Sequence, residues 1–210
     1  MKKLTLMGML LIGMFLLVAS APFGYGQIEE WVARYDGPGY SRDYASAQDK
    51  PATADNIMKE ALQRASKENK NVFLMFHASW CGWCKKMDAA LMDEVCKDSF
   101  DKNYVIIHMV VKESQNKKHL ENPGAAEFLA KYNGDKSGIP FWLIFDKKGK
   151  LLADSFMRPE GVGLDQPGSN IGCPGLDNEV AAFIDILKAS SSMTEKELAI
   201  ISERFKKNRN

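Results

Sequence analysis

Two cysteines three residues apart, Cys81 and Cys84, stand between an apolar run and a stretch with helical periodicity. Residues 71–76 read Asn-Val-Phe-Leu-Met-Phe, almost wholly apolar and β-forming, as in a strand buried on both faces of a sheet. Residues 83–97 hold no Gly or Pro and space Met87, Leu91 and Val95 four apart, which predicts one amphipathic helix across the stretch. At such a junction the unpaired N–H groups and the positive end of the helix dipole favour an anion. A thiol there falls from ~8.5 into the range ~3.5–7.5 and becomes a nucleophile at neutral pH. Cys81 is therefore the expected nucleophile. Cys84, one turn into the helix and less exposed, is the thiol expected to resolve a mixed disulfide.

Other uses of the pair fit less well. A zinc site needs two further ligands, and Cys96 and Cys173 form no second close pair, while His77 alone is insufficient. Covalent haem attachment normally wants His after the second Cys, where Lys85 stands. A permanent structural disulfide is the plain alternative. No metal and no bound cofactor are expected.

Trp80-Cys81-Gly82-Trp83-Cys84-Lys85 after an apolar strand resembles the active site of the thioredoxin superfamily. Gly138-Ile139-Pro140-Phe141, later in the chain and opening another apolar run, resembles that family's cis-proline loop. The resemblance covers roughly residues 53–189 and is closest to secreted or periplasmic forms with an aromatic residue inside the Cys-x-x-Cys. It implies a cis bond before Pro140, bringing Pro140 and the Ile139 backbone against the cysteine pair. Ile139 then pairs with a substrate strand by β-augmentation. It also implies that Trp80 flanks the substrate surface rather than filling the core. Trp83 stands where thioredoxin itself has proline, so a backbone N–H is retained and an apolar contact surface is added. Met75, six residues before Cys81, departs from the family's buried acidic proton acceptor. The proton of Cys84 must then leave through water or another group. His77 is near the site, but a strand-end histidine with its ring on the protein surface is the expected reading; His108 and His119 are expected to be uninvolved.

Residues 1–26 read as a secretory signal: Lys2 and Lys3, an apolar core over residues 4–18, then the small residues Ala19, Ser20, Ala21, Gly24 and Gly26. Residues 27–52, rich in Gly, Tyr, Asp and Ser, read as an extension or linker. Residues 53–190 are the expected thioredoxin-like domain and residues 191–210 a C-terminal helix. The net charge of +1 becomes −1 when Lys2 and Lys3 leave with the signal, and neither value suits nucleic acid or an anionic membrane. The compartment is expected to be periplasmic or extracellular, where disulfides persist.

Within the domain, Thr53 is the expected N-cap of a helix to residue 68 with Ile57, Ala61, Leu62 and Ala65 inward. Strands are expected over residues 103–111, 141–146 and 150–156, the last two joined by Lys147-Lys148-Gly149 as a hairpin. Residues 113–121 read as loop, and Asn122-Pro123 as the start of a helix to Tyr132. Residues 157–176 read as a long loop, Asp177 as the cap of a helix, and Thr194-x-x-Glu197 as a capping box opening the last one. The expected fold class is α/β, thioredoxin-like, a central mixed β-sheet flanked by helices on both faces.

The function expected is a secreted thiol–disulfide oxidoreductase using Cys81 and Cys84, with Trp80, Trp83, Ile139 and Pro140 binding substrate. Its partners are disulfide-containing proteins and a redox partner protein that supplies electrons. The chain is expected to be monomeric, to bind no nucleic acid, and to have no stable membrane insertion after signal cleavage. The rival function is a non-catalytic interaction or chaperone domain with an inert disulfide. Cys96 and Cys173 are expected to stay unpaired, with the segment 170–175 either bordering the groove beside Pro140 or tucking Cys173 against the last helix.

Overall fold

Phe73, Met75, Trp142 and Ile144 face one side of a four-stranded sheet, and Val72, Leu74, Phe76, Phe141, Leu143 and Phe145 face the other. This alternation makes two cores, one on each face. The computed structural model describes residues 50–209, so the readings of a signal and of most of the linker fall on residues outside those described. The elements are α1 (Ala54–Glu68), β1 (Asn71–His77), α2 (Gly82–Leu91), α3 (Lys97–Asn103), β2 (Tyr104–Val110) and a 3-10 turn (Gln115–Leu120). There follow α4 (Ala125–Lys131), β3 (Phe141–Phe145), β4 (Leu151–Asp154), β5 (Phe156–Met157), β6 (Ser169–Asn170), α5 (Asp177–Ser190) and α6 (Glu195–Lys206). The sheet order is β2-β1-β3-β4. β1 runs parallel to β2 and antiparallel to β3, and β3 is antiparallel to β4. The sheet is mixed and carries helices on both faces, as expected.

The first core packs Ala54, Met58, Ala61 and Ala65 of α1 with Ala125 and Leu129 of α4. In α1, Met58 is buried where Ile57 and Leu62 were expected, and those two are half-buried. The second core holds Met87, Ala90 and Leu91 of α2, Phe100 of α3, Phe183 and Leu187 of α5, and Ile201 and Phe205 of α6. Among the described residues no helix is long and apolar enough to cross a membrane.

Local signals predict the observed caps and turn where the partners are close in sequence. Thr53 accepts from Asn56 N–H at 3.3 Å. Thr194 Oγ1 accepts from Glu197 N–H, and Glu197 returns the bond to Thr194 N–H at 2.7 Å. Asp146 Oδ1 accepts from Lys148 and Lys150 N–H and closes the hairpin, with Gly149 at φ 83°.

Five expectations are corrected. The helix expected over 83–97 ends at Leu91. Asp93 terminates it: its carboxylate accepts from Val95 N–H and pairs with Arg204, and its carbonyl accepts from Cys96 and Lys97 N–H to start α3. Val95 is thereby exposed and Cys96 buried. Asn122 does not cap α4, which starts at Ala125 after Gly124 at φ 84°. Its side chain instead accepts from Val110 N–H at 2.7 Å and donates to the Ala52 carbonyl at 2.9 Å. α5 is capped by Glu179, which accepts from Gly175 and Leu176 N–H, so Asp177 is its first residue and not its cap. The loop 157–176 contains structure: β5 and β6 pair antiparallel, beside a buried Arg158–Asp154 ion pair of 2.5 Å. Residues 115–120, expected as loop, form the 3-10 turn.

Candidate active site

β1 ends at His77 in the middle of the sheet, and the next four residues turn the chain into α2. Cys81 N–H closes the turn on the Ala78 carbonyl at 3.0 Å. Glu113, buried in the segment after β2, accepts from Ser79 N–H at 2.5 Å and Ser79 Oγ at 3.0 Å. Trp80 Nε1 donates to the Lys112 carbonyl at 2.9 Å. The turn is thus pinned from the segment after β2, a role that the polar composition of 113–121 did not reveal.

Cys81 occupies the N-cap of α2, and its Sγ accepts from Cys84 N–H at 3.1 Å. The two cysteines are joined as a disulfide with Cα atoms 5.3 Å apart. Both sulfurs are nearly buried. The Ile139–Pro140 bond is cis, and the Ile139 carbonyl oxygen lies 3.5 Å from Cys81 Sγ. Cys81, Cys84, Ile139 and Pro140 therefore come together. Trp80 and Trp83 are more than half exposed, at 58% and 52%. Neither is a core aromatic; Lys86 Nζ sits 4.6 Å from the centre of the Trp83 ring.

Both placements open for the segment 170–175 are seen in part: Asn170 borders Pro140, and Cys173 packs against Asn208 in the turn after α6. Asn170 Nδ2 donates to the Gly138 carbonyl at 3.0 Å and the Pro140 carbonyl at 3.2 Å. Gly172, at φ 61°, lies in van der Waals reach of the Pro140 carbonyl, and its own carbonyl accepts from Trp142 Nε1. Cys173 Sγ meets Asn208 Nδ2 at 3.4 Å. Cys173 and Cys96 are both buried free thiols. Burial pushes Cys173 up to about 12 and Cys96 up to about 11, so both stay protonated and unreactive near neutrality.

The expectation for His77 is overturned. Its side chain is buried beneath α2, at 8% exposure, because the alternation of β1 turns it to the face of Phe73 and Met75. Burial holds its imidazolium down to about 4, with the neighbouring His108 acting in the same direction. His108, expected to be uninvolved, meets the His77 ring edge-on at 5.3 Å and is paired with Asp88 at 2.8 Å. Met75 is wholly buried and lies directly beside His108 in the β1–β2 register. Among the described residues, no group of three or more His, Cys, Asp or Glu side chains is arranged to hold a metal ion.

A family model described as thioredoxin-like matches residues 53–147. Protein disulfide-isomerase A5 of Bos taurus is 31% identical over 118 residues, which cover 54% of this chain and 22% of that protein. The matched part of the chain thus spans about a fifth of that relative's length. Among solved structures, a disulphide isomerase from Xylella fastidiosa Temecula1 aligns with a TM-score of 0.44 and 19% identity, over 78% of this chain and 97% of that one. A DsbH oxidoreductase aligns with a TM-score of 0.38 and 23% identity, over 76% of this chain and 98% of that one. With the sheet order, Cys81 at the N-cap of α2 and the family match in agreement, the chain carries a thioredoxin-like domain, matched over residues 53–147.

Proposed function

We propose that this protein is a thiol–disulfide oxidoreductase that exchanges disulfides with proteins outside the cytoplasm. In this reading Cys81 attacks and Cys84 resolves. The observation that carries it is the 3.1 Å contact from Cys84 N–H to Cys81 Sγ at the start of a ten-residue helix. An N–H aimed at the sulfur, with the helix dipole behind it, stabilises the thiolate that attack requires. The likeness to a protein disulfide-isomerase supports the same chemistry.

Substrate binding is assigned to Trp80 and Trp83, which offer exposed apolar surface beside the pair, and to Ile139 and Pro140. An extended substrate segment pairs with the Ile139 backbone, which brings its disulfide over Cys81. A dithiol protein partner returns the electrons, and the chain works as a monomer, without nucleic acid and free of the membrane after signal cleavage. The N-terminal pattern of two lysines, an apolar core and small residues supports export. Whether the pair runs as reductant, oxidant or isomerase follows from its potential and partner.

Titration in glutathione buffers, read by thiol alkylation and mass, tests the proposal. The wild-type protein is expected to show one reversible two-electron transition between ~−120 and ~−270 mV, the range of redox-active pairs. A pair that remained oxidised below about −300 mV would behave as a structural disulfide and sink the reading.

A further inference from the structure

The surface assigned to substrate has two walls that belong to different parts of the chain. One is the turn after β1, which carries Trp80; the other is the loop into β3, which carries Ile139 and Pro140. Lys112 touches both. It follows β2, which lies on the far side of β1 from β3. A bond from Val111 N–H to the His77 carbonyl at 2.9 Å holds the chain beside β1 up to this point. At Lys112 the backbone turns left-handed, with φ 56°, a conformation that residues other than glycine adopt at some cost. The Lys112 carbonyl accepts from Trp80 Nε1 at 2.9 Å. Its Nζ donates to the carbonyls of Asp135 at 2.9 Å and Ser137 at 2.5 Å, just ahead of Gly138.

These side-chain bonds are made partly out of water. Burial pulls the Lys112 ammonium below its ordinary range, and the Asp135 charge opposes that shift. Hydrogen bonds from an ionised donor are stronger than neutral ones. Asn170 Nδ2 donates to the Gly138 and Pro140 carbonyls. Carbonyls on both sides of Ile139 are thus held by two side chains, while the Ile139 carbonyl oxygen itself lies 3.5 Å from Cys81 Sγ.

We propose that Lys112 is a positioning residue for protein substrates, fixing the cis-proline loop relative to Trp80, a role that rests on the oxidoreductase reading above. A segment that lies against Trp80 and pairs with the Ile139 backbone depends on the spacing of the two. With the loop already tied, binding does not have to order it, so the tie acts on affinity more than on the exchange step. A disulfide with no peptide backbone cannot pair with Ile139 and needs only the Cys81 sulfur.

Single-turnover reaction of the reduced full chain with a disulfide-bonded peptide and with bis(2-hydroxyethyl) disulfide tests this role. Lys112→Met keeps the length of the side chain and removes the ammonium, and the main-chain bond to Trp80 survives. The ratio of the peptide to the small-disulfide second-order rate constant is expected to fall by about tenfold. The peptide loss should lie in the half-saturating concentration rather than in the limiting rate. Lys112→Arg, which restores a charged donor, is expected to recover most of the ratio. If Lys112→Met does not fold by circular dichroism, Lys112→Gly, which suits the left-handed backbone, decides by the same comparison. A ratio within about twofold of wild type, or a loss confined to the limiting rate, overturns the proposal while leaving the oxidoreductase reading intact. Failure of the wild-type protein to react with either disulfide removes both.

Discussion

Cys84→Ala is expected to turn the protein into a covalent trap. Alanine keeps the backbone N–H that lies 3.1 Å from Cys81 Sγ, and the N-terminus of α2 is undisturbed, so the Cys81 thiolate still forms and still attacks. What is lost is the thiol that displaces the substrate. The two remaining cysteines cannot substitute, because burial pushes Cys96 up to about 11 and Cys173 up to about 12, and Cys173 is turned toward Asn208. A protein–substrate mixed disulfide should therefore accumulate to near stoichiometry, and turnover should fall to the uncatalysed background. Non-reducing electrophoresis followed by peptide mass mapping checks it. Substantial turnover in this variant would mean that a third cysteine resolves.

Phe183→Ala is expected to cause the largest loss of stability among single core changes on the active-site face of the sheet. Phe183 is fully buried in α5 and touches three other rings: Phe205 at 4.9 Å, Trp142 at 5.5 Å and Phe100 at 6.4 Å between centroids. Truncation removes the apolar burial and leaves a cavity that rings on α6, β3 and α3 cannot all collapse into. The cost is ~3–5 kcal/mol, and for a domain of this size the melting temperature should drop by roughly 10 °C. Urea unfolding monitored by circular dichroism measures it. A loss below about 1 kcal/mol would show that the cluster repacks.

The two predictions differ in how visible their residues are in the sequence. Cys81 and Cys84 announce themselves by spacing and by the strand before them, and Pro140 by resemblance. Thr53, the Thr194–Glu197 box and the Asp146 hairpin are legible because donor and acceptor lie within four residues of each other. The break after Leu91 is different in kind. Helical spacing continues through Val95, and the chain turns only because Asp93 spends its carbonyl and carboxylate on the next N–H groups and on Arg204, 111 residues away. The burial of His77 and its contact with His108 depend on the parallel register of β1 and β2, which neither strand states alone. The β5–β6 ribbon is two residues on each side, too short for any periodicity to mark. Its Asn170 side chain nevertheless holds both carbonyls around Ile139, so the cis-proline loop is braced from a stretch that reads as loop.

Reduction of insulin disulfides in the presence of dithiothreitol, followed by turbidity, tests the central claim most directly, with the wild-type chain compared against Cys81→Ser. The expected result is acceleration by the wild-type protein and a rate no greater than dithiothreitol alone for Cys81→Ser, because a serine hydroxyl supplies no thiolate at neutral pH. Equal rates for the two proteins would contradict catalysis by the Cys81–Cys84 pair.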